Sequence, residues 1–164
     1  MKTVKVIYGS MTGNTERAAQ RIAEMLGGTA VAVAQAAAAD FEADLLVLGT
    51  STWGLGDIQD DWADGLKKLE TAPLSGKAVA LFGLGDQTGY STTYVDGLGE
   101  LFDAVQARGA RVVGQWPKEG YQFDESKAVR DGAFVGLALD DDNEFNLTEA
   151  RIAKWCEGLK AEIA

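Results

Sequence analysis

Two short apolar runs, LLVLG at 45–49 and AVALF at 78–82, constrain this chain more than any other feature. Neither alternates with polar residues. An uninterrupted apolar strand needs cover on both faces, and a parallel sheet flanked by helices provides it. The segments between the runs carry the helical period. In 14–26, Ala18, Ala19, Ile22, Ala23 and Leu26 recur on one face, and Gly27-Gly28 stops the pattern. Residues 61–69 read as a second helix and 93–107 as a third, with Leu98, Leu101, Phe102 and Val105 on one side. Residues 4–8 open as a strand, 30–34 form a weaker one, and 111–113 begin another. A closing helix over 147–163, with Thr148 and Glu149 at its start, turns Leu147, Ile152, Trp155, Leu159 and Ile163 inward. Alternating strands and helices predict an α/β fold: a doubly wound parallel sheet with helices on both faces and right-handed crossovers.

One stretch does not fit at once. A structureless loop of about twenty residues is unusual inside a compact domain, yet such a stretch separates 111–113 from AFVGLAL at 133–139. Either the sheet has six strands, or an edge strand is split by an inserted loop.

Composition narrows the function. The 164 residues, 46% of them hydrophobic, suit a single domain over 1–164. The net charge of −10 argues against nucleic acid and anionic membranes as partners. It suits a basic protein partner, or serves only solubility. There is no histidine, which removes the usual general base and the commonest metal ligand. The single cysteine, Cys156, excludes an intramolecular disulfide and a four-thiolate cluster, and it points to the cytoplasm. The apolar run at 4–8 is too short for a signal peptide, and no run approaches a membrane span.

In open parallel sheets, ligands bind beyond the carboxyl ends of the strands. The unusual segments sit there: SMTGNT at 10–15, TSTWGLGD at 50–57 and GLGDQTGY at 83–90. SMTGNT is neither a Walker loop nor a dinucleotide fingerprint, and it holds no lysine or arginine. It offers the hydroxyls of Ser10, Thr12 and Thr15, the Asn14 amide, and the N–H groups and dipole of a helix start. Those suit a terminal phosphate. They equally suit an ordinary helix cap on Asn14 or Thr15. GLGDQTG has one residue too many before its last glycine for a dinucleotide motif. Trp53 and Tyr90 are flanked by glycines on two neighbouring loops, a poor place for core packing and a good one for holding a flat ring. Phosphate and flat ring together describe a mononucleotide. Trp62, Trp116, Trp155 and Cys156 read as packing.

Taken together, SMTGNT, TSTWGLGD and ALFGLGDQTGY resemble the three cofactor loops of flavodoxins, over essentially the whole chain. The segment YQFDESKAVRDGAFVGLALDDDN at 121–143 resembles the insertion and returning strand of the long-chain class. The resemblance implies five strands in the order 2-1-3-4-5, with edge strand 5 split by an inserted loop. It implies bound FMN, with Ser10, Met11, Thr12, Gly13, Asn14 and Thr15 at the phosphate. Thr50, Ser51 and Thr52 would run beside the ribityl chain, and Trp53 and Tyr90 would cover the ring. Gly85, Asp86 and Gln87 would line the pyrimidine edge, mostly through backbone groups, and Gly54 and Leu55 would lie near N5. Glycine at 54 departs from a larger residue common in the family, and its tolerance of positive φ would let a carbonyl turn toward a protonated N5.

The implied function is low-potential one-electron transfer between a reductase donor and a low-potential acceptor, the flavin alternating between semiquinone and hydroquinone. The docking would use the basic faces of those redox proteins, and the carrier would be a monomer. No catalytic residues of its own and no metal are expected. Asp57, Asp60, Asp61, Asp64 and Asp140 to Asp142 are candidates for a negative surround that lowers the second potential. The second reading is an FMN-dependent NAD(P)H:quinone oxidoreductase on the same fold. A receiver-type signalling domain is set aside, because it needs acidic residues where this chain has Gly9-Ser10 and Gly49-Thr50.

Overall fold

The computed structural model describes residues 3–9, 13–53 and 57–163, with Trp53 and Asp57 in backbone only. Strand β1 (Val4–Tyr8) leads to helix α1 (Asn14–Leu26), then β2 (Thr29–Ala32), and two 3-10 turns carry the chain to β3 (Leu45–Trp53). A short β4 (Asp57–Ile58) pairs back on β3, before α2 (Trp62–Thr71), β5 (Ala78–Leu84) and α3 (Asp96–Ala107). Next come β6 (Arg111–Val113), β7 (Trp116–Pro117), β8 (Val129–Arg130), β9 (Ala133–Phe134), β10 (Leu137–Leu139) and α4 (Asp141–Ile163).

The main sheet runs β2-β1-β3-β5, all parallel, and its far edge is made of two pieces. β6 pairs with the first half of β5 at Ala78 to Ala80, and β10 with the second half at Phe82 to Leu84. The fifth strand of the 2-1-3-4-5 order is therefore β6 plus β10, split by an insertion. AFVGLAL is not one strand. Its first two residues belong to the insertion and its last three to the main sheet, with Gly136 between them. A Cβ at Gly136 would stand 2.0 Å from the Leu81 carbonyl oxygen, so the re-entry needs glycine. The insertion is a three-stranded antiparallel sheet, β7-β9-β8. Asp131 and Gly132 both take positive φ, 55° and 82°, in the two-residue turn between β8 and β9.

The apolar runs bury both faces of the sheet, as expected. Along β3, Leu46 and Leu48 enter one core with Ile7, Val79 and Leu81, under Trp62 and Leu69 of α2 and Leu98, Leu101 and Val105 of α3. Leu45 and Val47 enter the other with Val6, Ala80 and Phe82, under Ala18, Ala19, Ile22 and Ala23 of α1 and Ile152, Trp155 and Leu159 of α4. Cys156 is wholly buried there, and that burial pushes its thiol up to about 11, where it is unreactive. Trp62, Trp116 and Trp155 pack as expected, and the indole N–H of Trp62 reaches the Gly49 carbonyl at 2.9 Å. Three helices begin elsewhere than the sequence predicts, α2 by one residue, at Trp62 instead of 61. α3 starts at Asp96, three residues later than 93, and α4 starts at Asp141, six earlier than 147. α4 is interrupted at Glu144 (φ −133°, ψ 39°). Leu147 lies just past that break and is exposed, not inward.

Candidate functional site

The order β2-β1-β3 means that the chain leaves β1 in one direction and later crosses to its other side. A crevice forms at such a reversal, beyond the strand ends. An open cleft of about 290 Å³ occupies that place. The start of α1 contributes Asn14 and Thr15, the end of β3 contributes Ser51 and Thr52, and the end of β5 contributes Leu84, Gly85 and Asp86. Tyr90 closes one side, and Asp141 and Asp142 come from the first turn of α4. None of these lining residues is lysine or arginine.

The helix start decides one open question. The cap position of α1 falls on Gly13 (φ 89°), with no side-chain cap hydrogen bond. Neither Asn14 nor Thr15 caps the helix, so the ordinary-cap reading of SMTGNT fails here. Asn14 and Thr15 are inside the first turn and face the cleft. The positive end of the helix dipole therefore opens into it.

The third loop is held from behind by a buried polar network. Asp140 is fully buried and accepts hydrogen bonds from the Gln87 N–H at 3.1 Å and the Asn143 N–H at 3.0 Å. The Asn143 amide also donates to Asp140, and to Asp86 at 2.8 Å. Gln87 is itself buried, donating to Glu144 at 2.6 Å and accepting from the Gln122 N–H of the insertion at 2.6 Å. Glu144 also pairs with Arg151 at 3.0 Å, whose guanidinium lies 4.2 Å from the Tyr121 ring centre. The loop thus rests on both the insertion and α4. At its tip, the Gly89 N–H donates to Asp86 at 2.7 Å and the Tyr90 N–H to the Asp86 carbonyl at 2.9 Å. This turn presents Tyr90 outward, 48% exposed.

Charge in the cleft is all negative. The Gly89 N–H, with Asn143 and Thr88 adding to it, holds the Asp86 carboxyl below the usual aspartate range. Burial, then the nearby Asp86, Asp140 and Asp141, raises Asp142. Among the described residues, no group of three or more His, Cys, Asp or Glu could hold a metal ion, and no helix is long and apolar enough to cross a membrane.

Of the predicted site residues, the fold brings Asn14, Thr15, Ser51, Thr52, Gly85, Asp86 and Tyr90 together, with Gly13 just behind Asn14. It does not bring Gln87 or Thr50 to the cleft. Gln87's N–H and its side-chain amide are taken by Asp140, Glu144 and Gln122. Thr50 is fully buried, its hydroxyl bonded to the Ser51 carbonyl and taking the Gln59 N–H. Ser10, Met11, Thr12, Gly54, Leu55 and the side chain of Trp53 lie outside the described residues. Leu84 is the lining residue that sequence reading did not single out. It sits two residues past the AVALF run, where an apolar residue gives no signal of a site.

The family model for flavodoxin matches residues 6–155. This chain belongs to the flavodoxin family. The flavodoxin of Synechococcus elongatus is 42% identical over 99% of both chains, and that of Klebsiella pneumoniae likewise 42% over 99% of both. Among solved structures, the Fusobacterium nucleatum flavodoxin bound to flavin mononucleotide superposes with a TM-score of 0.93, at 33% identity and 99% coverage of both chains. The flavodoxin match thus runs through all three loops and through the split strand.

Proposed function

We propose that the cleft binds FMN and that the protein carries single electrons between redox partner proteins. The observation that carries this is the cleft itself: a helix start, a strand end bearing two hydroxyls, a second strand end and an exposed tyrosine converge at the sheet's reversal point. The donor chemistry fits the group. Asn14, Thr15 and the first turn of α1 suit a phosphate without lysine. The Thr52 hydroxyl oxygen accepts the Gly97 N–H at 2.9 Å, so its own proton is left to donate toward a polyol chain. Gly85 and Asp86 offer backbone groups, and Tyr90 offers a ring face. Ser10, Met11, Thr12, Trp53, Gly54 and Leu55 complete the proposed set.

Bound FMN supplies the redox chemistry, taking up and releasing electrons one at a time. The chain's residues set where it sits and at what potential. Asp86, Asp141 and Asp142 oppose added negative charge in the cleft, which lowers the potential of the second electron. Tyr90 covers one ring face and keeps water from it. The insertion between β6 and β10 supports placement in the long-chain class. The acidic surface supports docking on the basic faces of a reductase donor and a low-potential acceptor, with the protein acting as a cytoplasmic monomer.

Anaerobic stepwise reduction of the purified protein tests this reading. The expected result is a yellow protein with two separated one-electron steps and almost no NAD(P)H oxidation of its own. A colourless protein that ignores added FMN would end it, and steady NAD(P)H-driven quinone reduction would favour the oxidoreductase reading.

A further inference from the structure

SMTGNT contains no cation, but one reaches its end from a turn away. Arg17 lies three residues beyond Asn14 on the same face of α1, and its guanidinium donates a hydrogen bond to Asn14 Oδ1. An arginine offers only donors. The amide oxygen of Asn14 must therefore be the atom that faces Arg17, which leaves the amide N–H pair on the opposite side. Asn14 lines the cleft and Arg17 does not. Arg17 is in turn located from α4, with its guanidinium 5.5 Å from the centre of the Phe145 ring and 3.9 Å from Asp141 Oδ2. Phe145 is 60% exposed and belongs to neither core. A ring so exposed adds little to folding, and stacking on Arg17 gives it a use.

We infer that Arg17 is a positioning residue for the anion end of the cleft, locking the Asn14 amide with its N–H donors toward the cofactor phosphate. This rests on the FMN reading above and deepens it. Direct attraction between Arg17 and the phosphate is the weaker account. The Arg17 side chain is 58% exposed, and charges in water are strongly screened. Orientation of a neighbouring amide survives that screening.

The test titrates apoprotein, prepared from the purified holoprotein, with FMN and with riboflavin, which lacks the phosphate. Arg17→Met should weaken FMN by roughly five- to tenfold and leave riboflavin unchanged. Arg17→Lys should restore most of the loss, since an ammonium also donates to Oδ1. In an Asn14→Ala background, Arg17→Met should cost nothing further. Equal losses for both flavins, no loss for either, or a full loss of FMN affinity in the Asn14→Ala background would each overturn the inference. The last would reveal direct attraction instead. A wild-type protein that binds neither flavin would sink the FMN reading and this inference with it, a result distinct from all of these.

Discussion

Gly49 sits where three segments meet. Its carbonyl accepts the Trp62 indole N–H at 2.9 Å and the Gly9 N–H at 3.1 Å. On the other side, the Phe82 ring covers its Cα so closely that a Cβ would stand 2.0 Å from Cζ. Glycine is required here by space, not by backbone angle. Gly49→Ala forces Phe82 out of a packed core, and the expected cost is about 2–3 kcal/mol, read as a lower urea midpoint with unchanged slope. In LLVLG the final glycine gave no hint of this, because the residue that excludes a side chain lies on another strand. Arg17 was hidden in part for the same reason, because Phe145 and Asp141, which locate it, lie on α4. Its partner Asn14 was named from the sequence, but only the helical turn and Phe145 bring the guanidinium back to it.

Among the elements, α3 and the insertion are coupled through one aspartate. Asp96, 3% exposed, begins α3 and accepts the Lys127 N–H at 2.7 Å. Burial raises its carboxyl above the ordinary value of 3.8, and the Lys127 N–H offsets part of that. A carboxyl with a folded pKa above its unfolded one costs stability when ionised. That cost is present at neutral pH and is relieved as pH falls through the raised pKa toward 3.8. Asp96→Asn keeps the acceptor and removes the charge. It should raise the thermal midpoint at pH 7 and show less gain than wild type on acidification, measured by pH-resolved melting. Asp86 has the opposite sign: its lowered pKa gives stability above the ordinary range that is lost in acid. The regular elements were legible because apolar runs and helical period are local signals. α1 and β6 match to the residue. The insertion was legible only through its family resemblance, although RDGAF carries a hairpin signal. Asp131-Gly132 is a two-residue turn of the favoured kind, but with strands of two residues there is no period to read around it. The early start of α4 escaped because DDDN binds the third loop before it begins a helix. The side chain of Gln87 was not legible as a brace for the third loop, because a sequence does not reveal that its amide is bonded to Glu144 and Gln122.

At the scale of the whole molecule, the charge of −10 acts on encounters more than on folding. Electron transfer to a redox protein of net positive charge should slow several-fold as ionic strength rises from roughly 10 to 300 mM, because screening shortens to a few ångströms. Stopped-flow rates with an uncharged small oxidant should stay flat over the same range. A flat profile with the basic protein would remove the electrostatic docking account. The split strand bears on encounters of another kind. A sheet edge exposes backbone donors and acceptors that invite a second copy to add on. Here one edge is β2, four residues long, and the other is broken into β6 and β10, three residues each, with the insertion standing between them. A neighbouring chain therefore meets no ladder long enough to zip along. An outermost strand interrupted in this way is a poor template for edge-to-edge pairing during repeated collisions with other proteins.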